Sequence, residues 1–146
     1  MIHPSCKSCL LHASVTSQGP GKLDYVLLDP HWMSHMGIEP EETVWIVADD
    51  PRCTWTASVV PGKEGKGQLA VYGEHAARIT NRSRLSVYAF HSGPSADLGG
   101  TEWVCQEPEV VIELADGNRI NRVLIRIGAD AEENPAKGEW ACEQSI

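Results

Sequence analysis

The densest run of proton-handling side chains in the sequence is Tyr72-Gly73-Glu74-His75. An imidazole exchanges protons near neutral pH, a carboxylate can orient it, and a phenol can donate to a developing oxyanion. Such a set suits general acid–base chemistry without a cofactor. The plainer reading is a solvated helix start, where an acid is favourable beside unpaired N–H groups. A second candidate is His3-x-x-Cys6-x-x-Cys9-x-x-His12, which has zinc-like ligand spacing. Strand is expected from Cys9 to Thr16, and alternation there sets Cys9 and His12 on opposite faces. One rigid strand does not close four ligands round an ion, so packed or surface thiols are expected and zinc is not. Cys9 is also a candidate nucleophile. The same alternation separates it from His12, so its activation needs a base from elsewhere in the fold.

The elements that must position these groups read as short strands between turn residues. Runs at 10–16, 23–28, 43–48, 54–60, 68–72, 84–90, 110–114 and 122–127 are broken by Asp29-Pro30, Asp49-Asp50-Pro51 and Pro61-Gly62. Two stretches, 30–36 and 73–79, suit a turn or two of helix. The segment 91–101 is a loop by composition, and from Ala129 onward the chain lacks periodicity. The expected class is mainly β, a barrel or sandwich with short helices.

At 146 residues the chain fits one domain able to bury a core. The division expected is a barrel domain over residues 1–128 and an irregular tail over 129–146. A net charge of −8 argues against nucleic acid and leaves no basic patch for an anionic membrane. No apolar run reaches bilayer-spanning length, and residues 1–9 lack the apolar stretch of a secretion signal, so the expected location is cytoplasmic. The five cysteines (Cys6, Cys9, Cys53, Cys105 and Cys142) then read as reduced thiols.

Several segments, in order, resemble the pyruvoyl-dependent aspartate 1-decarboxylase family. They are Lys7-Ser8 with Ala13-Ser14-Val15-Thr16, Leu23-Asp24-Tyr25-Val26 with Asp29 and Met33, and Gly37-Ile38-Glu39-Pro40-Glu41-Glu42 before Val44. Pro61-Gly62 with Gly65 and Gly67, Gly73 with Ala76-Ala77-Arg78-Ile79, and Pro108, Val110-Val111 and Asn118-Arg119-Ile120 continue the series to about residue 122. The resemblance implies a double-psi β-barrel and a homotetramer with sites between subunits.

The family's own chemistry is missing from this resemblance. Its Gly-Ser self-cleavage pair has no counterpart, because Tyr25-Val26 runs into Leu27-Leu28-Asp29 and no Gly-Ser occurs anywhere in the chain. Without a pyruvoyl carbonyl there is no electron sink for decarboxylation, so no pyruvoyl cofactor is expected. The family's lysine falls at Cys9, its substrate-binding arginine near Thr54 (with Arg52 displaced), its Thr-Tyr pair at Ala57-Ser58 and its asparagine at Tyr72.

A retained pocket then offers His75, Glu74, Tyr72, Cys9 and His12 as catalytic candidates. Tyr25, Thr54, Trp55, Ser58 and Gly73 would contact a small-molecule substrate, with Trp55 as an apolar wall or a packing residue. The expected function is cofactor-independent acid–base chemistry on a small organic substrate in a specialised biosynthetic pathway. Cyclisation, isomerisation, addition and elimination all fit. Two alternatives stay open: a non-catalytic binder or degenerate partner of a true decarboxylase, and aspartate decarboxylation by an unusual route.

Overall fold

Asp29-Pro30 ends one strand and starts a helix by a simple local mechanism. The Asp29 carboxylate accepts from the His31 N–H at 2.9 Å, and Pro30 lacks an N–H to leave unpaired. Gly37, at φ 70°, stops the helix in the left-handed region. A computed structural model describes residues 6–49, 52–80, 83–91, 108–126 and 140–143. Its strands are β1 (Cys6–Ser14), β2 (Ser17–Gly19), β3 (Tyr25–Leu28), β4 (Thr43–Asp49), β5 (Arg52–Pro61) and β6 (Leu69–Tyr72). After these come β7 (Arg84–Phe90), β8 (Val110–Ala115), β9 (Arg119–Arg126) and β10 (Trp140–Glu143), with α1 (Pro30–Met36) the α-helix among the described residues.

The strands form one sheet in the order β10-β9-β8-β1-β7-β4-β5-β3-β6-β2. Within it, β3 lies between β5, its parallel partner, and β6, its antiparallel partner. Likewise β1 lies between antiparallel β7 and parallel β8. In each case two sequential antiparallel strands are separated by an earlier strand slotted between them, which is a psi crossing. Two such crossings make the chain a mainly β, double-psi barrel-type fold.

The inward face carries Leu10, Val26, Leu28, Val44, Ile46, Val59, Val71, Leu85, Val87 and Ile112, all fully buried, and α1 adds Trp32, Met33 and Met36. Alternation along β5 shows the physical pattern clearly. Trp55, Ala57 and Val59 are buried while Thr54, Thr56 and Ser58 between them are exposed.

The crossing of β5 to β6 over the end of β3 is held by buried polar groups. The Gly62 N–H donates to the Leu28 carbonyl at 2.8 Å, and the Asp29 N–H donates to the Gln68 carbonyl at 3.1 Å. The Asp29 carboxylate also accepts from the Gly65 and Gly67 N–H groups at 2.9 and 2.8 Å. Asn118 joins the two ends of the barrel chain. Its Oδ1 accepts from the Ser14 N–H, and its Nδ2 donates to the Ser14 and Gly67 carbonyls.

Two expectations are corrected. Residues 129–146 are not wholly irregular, because β10 pairs antiparallel with the edge of β9; the other residues of that stretch lie outside those described, as do 92–101 of the expected loop. Cys6 is in a disulfide, whereas Cys9 and Cys53 are free. Disulfide pairing needs Cα atoms brought within a few ångströms, which is a tertiary matter and invisible in residue spacing. The second helical stretch forms a single 3₁₀ turn, His75–Arg78, within the one or two turns expected.

Asp29→Ala removes a buried acceptor of three N–H groups at once. The expected cost is about 2–3 kcal/mol, read as a lowered urea midpoint with an unchanged slope.

Candidate functional site

Gly73 sits at φ 122°, a conformation glycine adopts readily and other residues do not. A Cβ there would lie 2.2 Å from Asp24 Oδ1 and 2.9 Å from the Leu23 carbonyl. The missing side chain therefore lets the turn before β3 pack against the turn after β6. That contact brings together two residues 51 positions apart. His75 Nδ1 lies 2.8 Å from Asp24 Oδ2, and the His75 backbone N–H donates to Asp24 Oδ1 at 3.3 Å. One carboxylate thus grips both the ring and the backbone of the same histidine.

The ring is also held from its face. It stacks on the Trp55 indole with centroids 5.8 Å apart and planes 6° apart. Trp55 is buried, while the His75 side chain keeps 36% exposure, so the ring remains reachable. Toward a carboxylate Nδ1 carries the hydrogen, which leaves Nε2 as the ring nitrogen without a partner among the described residues. Asp24 gives the imidazole its tautomer and orientation, and Trp55 fixes its plane. Such a pair can take a proton at Nε2 and return it. Among the described residues no hydroxyl or thiol hydrogen-bonds to His75, so the arrangement is one for acid–base work rather than for an activated nucleophile.

The other sequence candidates are distributed as follows. Tyr25 and Tyr72 are cross-strand partners whose rings stack at 4.9 Å and 19°. Their neighbours Val26 and Val71 point into the core, so the tyrosine pair lies on the outer face, where Ser58 is the register partner of Tyr25. Tyr72 Oη is 3.5 Å from Ser17 Oγ. Thr54 is exposed and faces away from Trp55. Glu74 is exposed at the start of the 3₁₀ turn and makes no capping hydrogen bond. The carboxylate that orients His75 is Asp24, not Glu74.

Cys9 and His12 are not brought to this group. Cys9 pairs in register with Tyr88 and Val111 and is buried, while His12 is exposed at φ 66° where β1 bulges. Burial, with a smaller contribution from the nearby Glu113 charge, pushes the Cys9 thiol up to about 12. Glu113 itself is held below the ordinary carboxylate value, chiefly by hydrogen bonds from Arg122 at 2.8 and 3.1 Å. Of the N-terminal zinc-like series, His3 lies outside the described residues and Cys6 is in its disulfide. Among the described residues no three His, Cys, Asp or Glu side chains converge as a ligand set.

Asp24 was missing from the sequence candidates. It stands in a segment legible only as the entry to a strand, and nothing local ties it to His75. The usable signal was the glycine two residues before His75, which marks a close backbone approach by some other segment.

This is a double-psi barrel with a carboxylate–imidazole pair at one end. No family model matches the chain. It is similar to the aspartate 1-decarboxylase of Bacillus subtilis (strain 168), 24% identical over 115 residues that cover 79% of this chain and 86% of that protein. The similarity is distant but spans most of both chains. No helix among the described residues is long and apolar enough to cross a membrane.

A raised thiol pKa keeps Cys9 protonated below about 12, so at pH 8 its thiolate fraction is roughly one part in ten thousand. Iodoacetamide at pH 8 is expected to leave Cys9 unmodified in the folded protein. The same reagent should label it in urea, where the thiol returns to about 8.5, as peptide mass mapping would show.

Proposed function

We propose that this chain is a cofactor-independent enzyme that moves a proton on a small organic substrate, with His75 as the base and Asp24 as its orienting partner. The observation that carries the reading is the 2.8 Å Asp24–His75 contact on a partly exposed ring clamped flat against Trp55. Proton abstraction at Nε2 would leave an imidazolium whose Nδ1–H already donates to a carboxylate, so the charge forms where it is stabilised. Return of that proton to another atom of the substrate completes an isomerisation, cyclisation, addition or elimination.

The distant likeness to a decarboxylase supports an enzymatic role of the lyase kind. The residues do not fit that family's pyruvoyl group. Between Gly19 and Met33 the chain has no serine, threonine or cysteine from which one could form, and Asp24 occupies the turn instead. Thr54 stands near the position of that family's substrate-binding arginine, with Arg52 displaced, which suits a substrate less polar than aspartate. A homotetramer is part of the proposal, with the outer face of β3, β5 and β6, which carries the stacked Tyr25–Tyr72 pair, as the surface offered to a second copy. A cytoplasmic setting completes the proposal.

The test begins with denatured intact mass, where a single species at the mass of the uncut 146-residue chain is expected. The protein is then incubated in D2O with a panel of carbonyl compounds bearing acidic C–H bonds, and deuterium uptake is followed by NMR. Wild type should exchange at least one of them, and His75→Gln should slow that exchange by roughly 10²–10⁴-fold with little change in melting temperature. Two chain fragments with a pyruvoyl end, or equal exchange by the variant, would sink the reading.

A further inference from the structure

The 3₁₀ turn that carries His75 carries Arg78 as well. In such a turn residues three apart eclipse, so these two side chains leave the same side of it, about 6 Å apart along its axis. Ala76 and Ile79, likewise three apart, are buried in the core and hold the turn by its inner side. We propose that Arg78 is the anion anchor of the His75 site and that the substrate is a small oxo acid. Its carboxylate lies on the guanidinium while His75 takes a proton from the carbon beside its carbonyl. This inference rests on the reading of His75 as the base and names the class of molecule that base acts on.

The strand beside the turn has a matching spacing. Cys53 and Trp55 stand two apart on β5, both packed on the core side, which sets them about 6.8 Å apart. The His75 ring stacks on Trp55. Arg78 is near Cys53: burial raises that thiol above its ordinary value, and the Arg78 charge works against the rise. The turn therefore runs along β5 with His75 at Trp55 and Arg78 at Cys53. Gln18 fixes it there from β2, since its Nε2 donates to the Ala76 and Ile79 carbonyls at 3.0 and 2.9 Å.

Place marks Arg78, since no other described cation shares the turn of His75. Two acids stand close by. Asp24 is committed to the ring and backbone of His75. Glu74 is exposed, and with three residues to the turn it lies about 120° round from the His75–Arg78 side. A planar guanidinium matches a carboxylate with two parallel hydrogen bonds. In a 2-oxo acid the carbon that loses the proton is two bonds from the carboxyl carbon, so anchor and base can serve one small molecule. The C–H electron pair moves onto the carbonyl oxygen as an enolate, and the proton goes to Nε2. Its return to carbon, or that of a solvent deuteron in its place, completes the cycle. One carboxylate without an ammonium group is also less polar than aspartate.

The experiment uses the full chain with 2-oxobutanoate and, as its neutral counterpart, butanone. Binding is read by NMR from the His75 ring C–H signal, assigned by its loss in His75→Gln. Exchange of the C3 protons is followed in D2O after subtraction of the uncatalysed rate. 2-Oxobutanoate should shift the His75 signal saturably with a midpoint below about 20 mM, a weak-site affinity, and butanone should not. Arg78→Gln should weaken that binding roughly tenfold and raise KM for exchange by the same factor, with kcat little changed. Arg78→Lys, which keeps the charge and loses the fork, should recover part of the loss. Lys63→Gln, an exposed cation on another turn, should change neither. No saturable shift, an equal midpoint with butanone, or unchanged binding by Arg78→Gln would each overturn the proposal. Exchange that needs His75 but not Arg78 would sink this inference alone. Arg78-dependent binding with equal exchange by His75→Gln would instead sink the acid–base reading and leave the anchor standing.

Discussion

The Asp29 carboxylate is the interaction on which this architecture turns. A psi crossing obliges the loop from β5 to β6 to pass over the end of the strand between them. At that point β3 has run out of neighbours to bond, the loop has left its ladder, and a helix is starting with unpaired N–H groups. One buried carboxylate answers all three needs, accepting from His31, Gly65 and Gly67. A buried charge is costly unless it is fully hydrogen-bonded, and here backbone donors surround it. Asn118 does a related job with a neutral amide, bonding to Ser14 at the end of β1 and to Gly67 in the crossing loop. The apolar core fills the barrel, but these two polar groups specify how the chain crosses itself.

The same crossing decides what stands near His75. Because β3 is inserted between β5 and β6, the residues just before β3 and just after β6 meet at one end. Asp24 and Gly73 are such residues, and the bare Cα of Gly73 lets the two turns touch. Trp55 reaches the site from β5, on the other side of β3. Two separate segments therefore hold His75, Asp24 by the ring edge and the backbone and Trp55 by the ring face. The geometry fixes the ring and leaves Nε2 without a partner among the described residues.

Alternation along the strands separates groups that sequence order places together. Trp55 faces inward beside His75, while Thr54 and Ser58 face outward. Tyr25 and Tyr72 stack on that outer face, pointing away from Val26 and Val71. The candidate residues thus fall into an inner acid–base group and an outer aromatic and hydroxyl group. Cys9 belongs to neither, since burial on the β1–β7 ladder keeps its thiol protonated.

The sequence by itself determined the class of fold and most of its elements. Turn residues such as Asp29-Pro30 and Pro61-Gly62 act locally, and period-two burial along 54–60 needs only a strand, so both are readable from neighbours in the chain. It also marked the run around His75 and the lack of a Gly-Ser pair. It did not pair Asp24 with His75 or exclude Glu74 as the orienting acid. Nor did it foresee the disulfide at Cys6 or the strand at Trp140–Glu143. Each of these depends on contacts between segments far apart in sequence, and only the psi crossings bring those segments together.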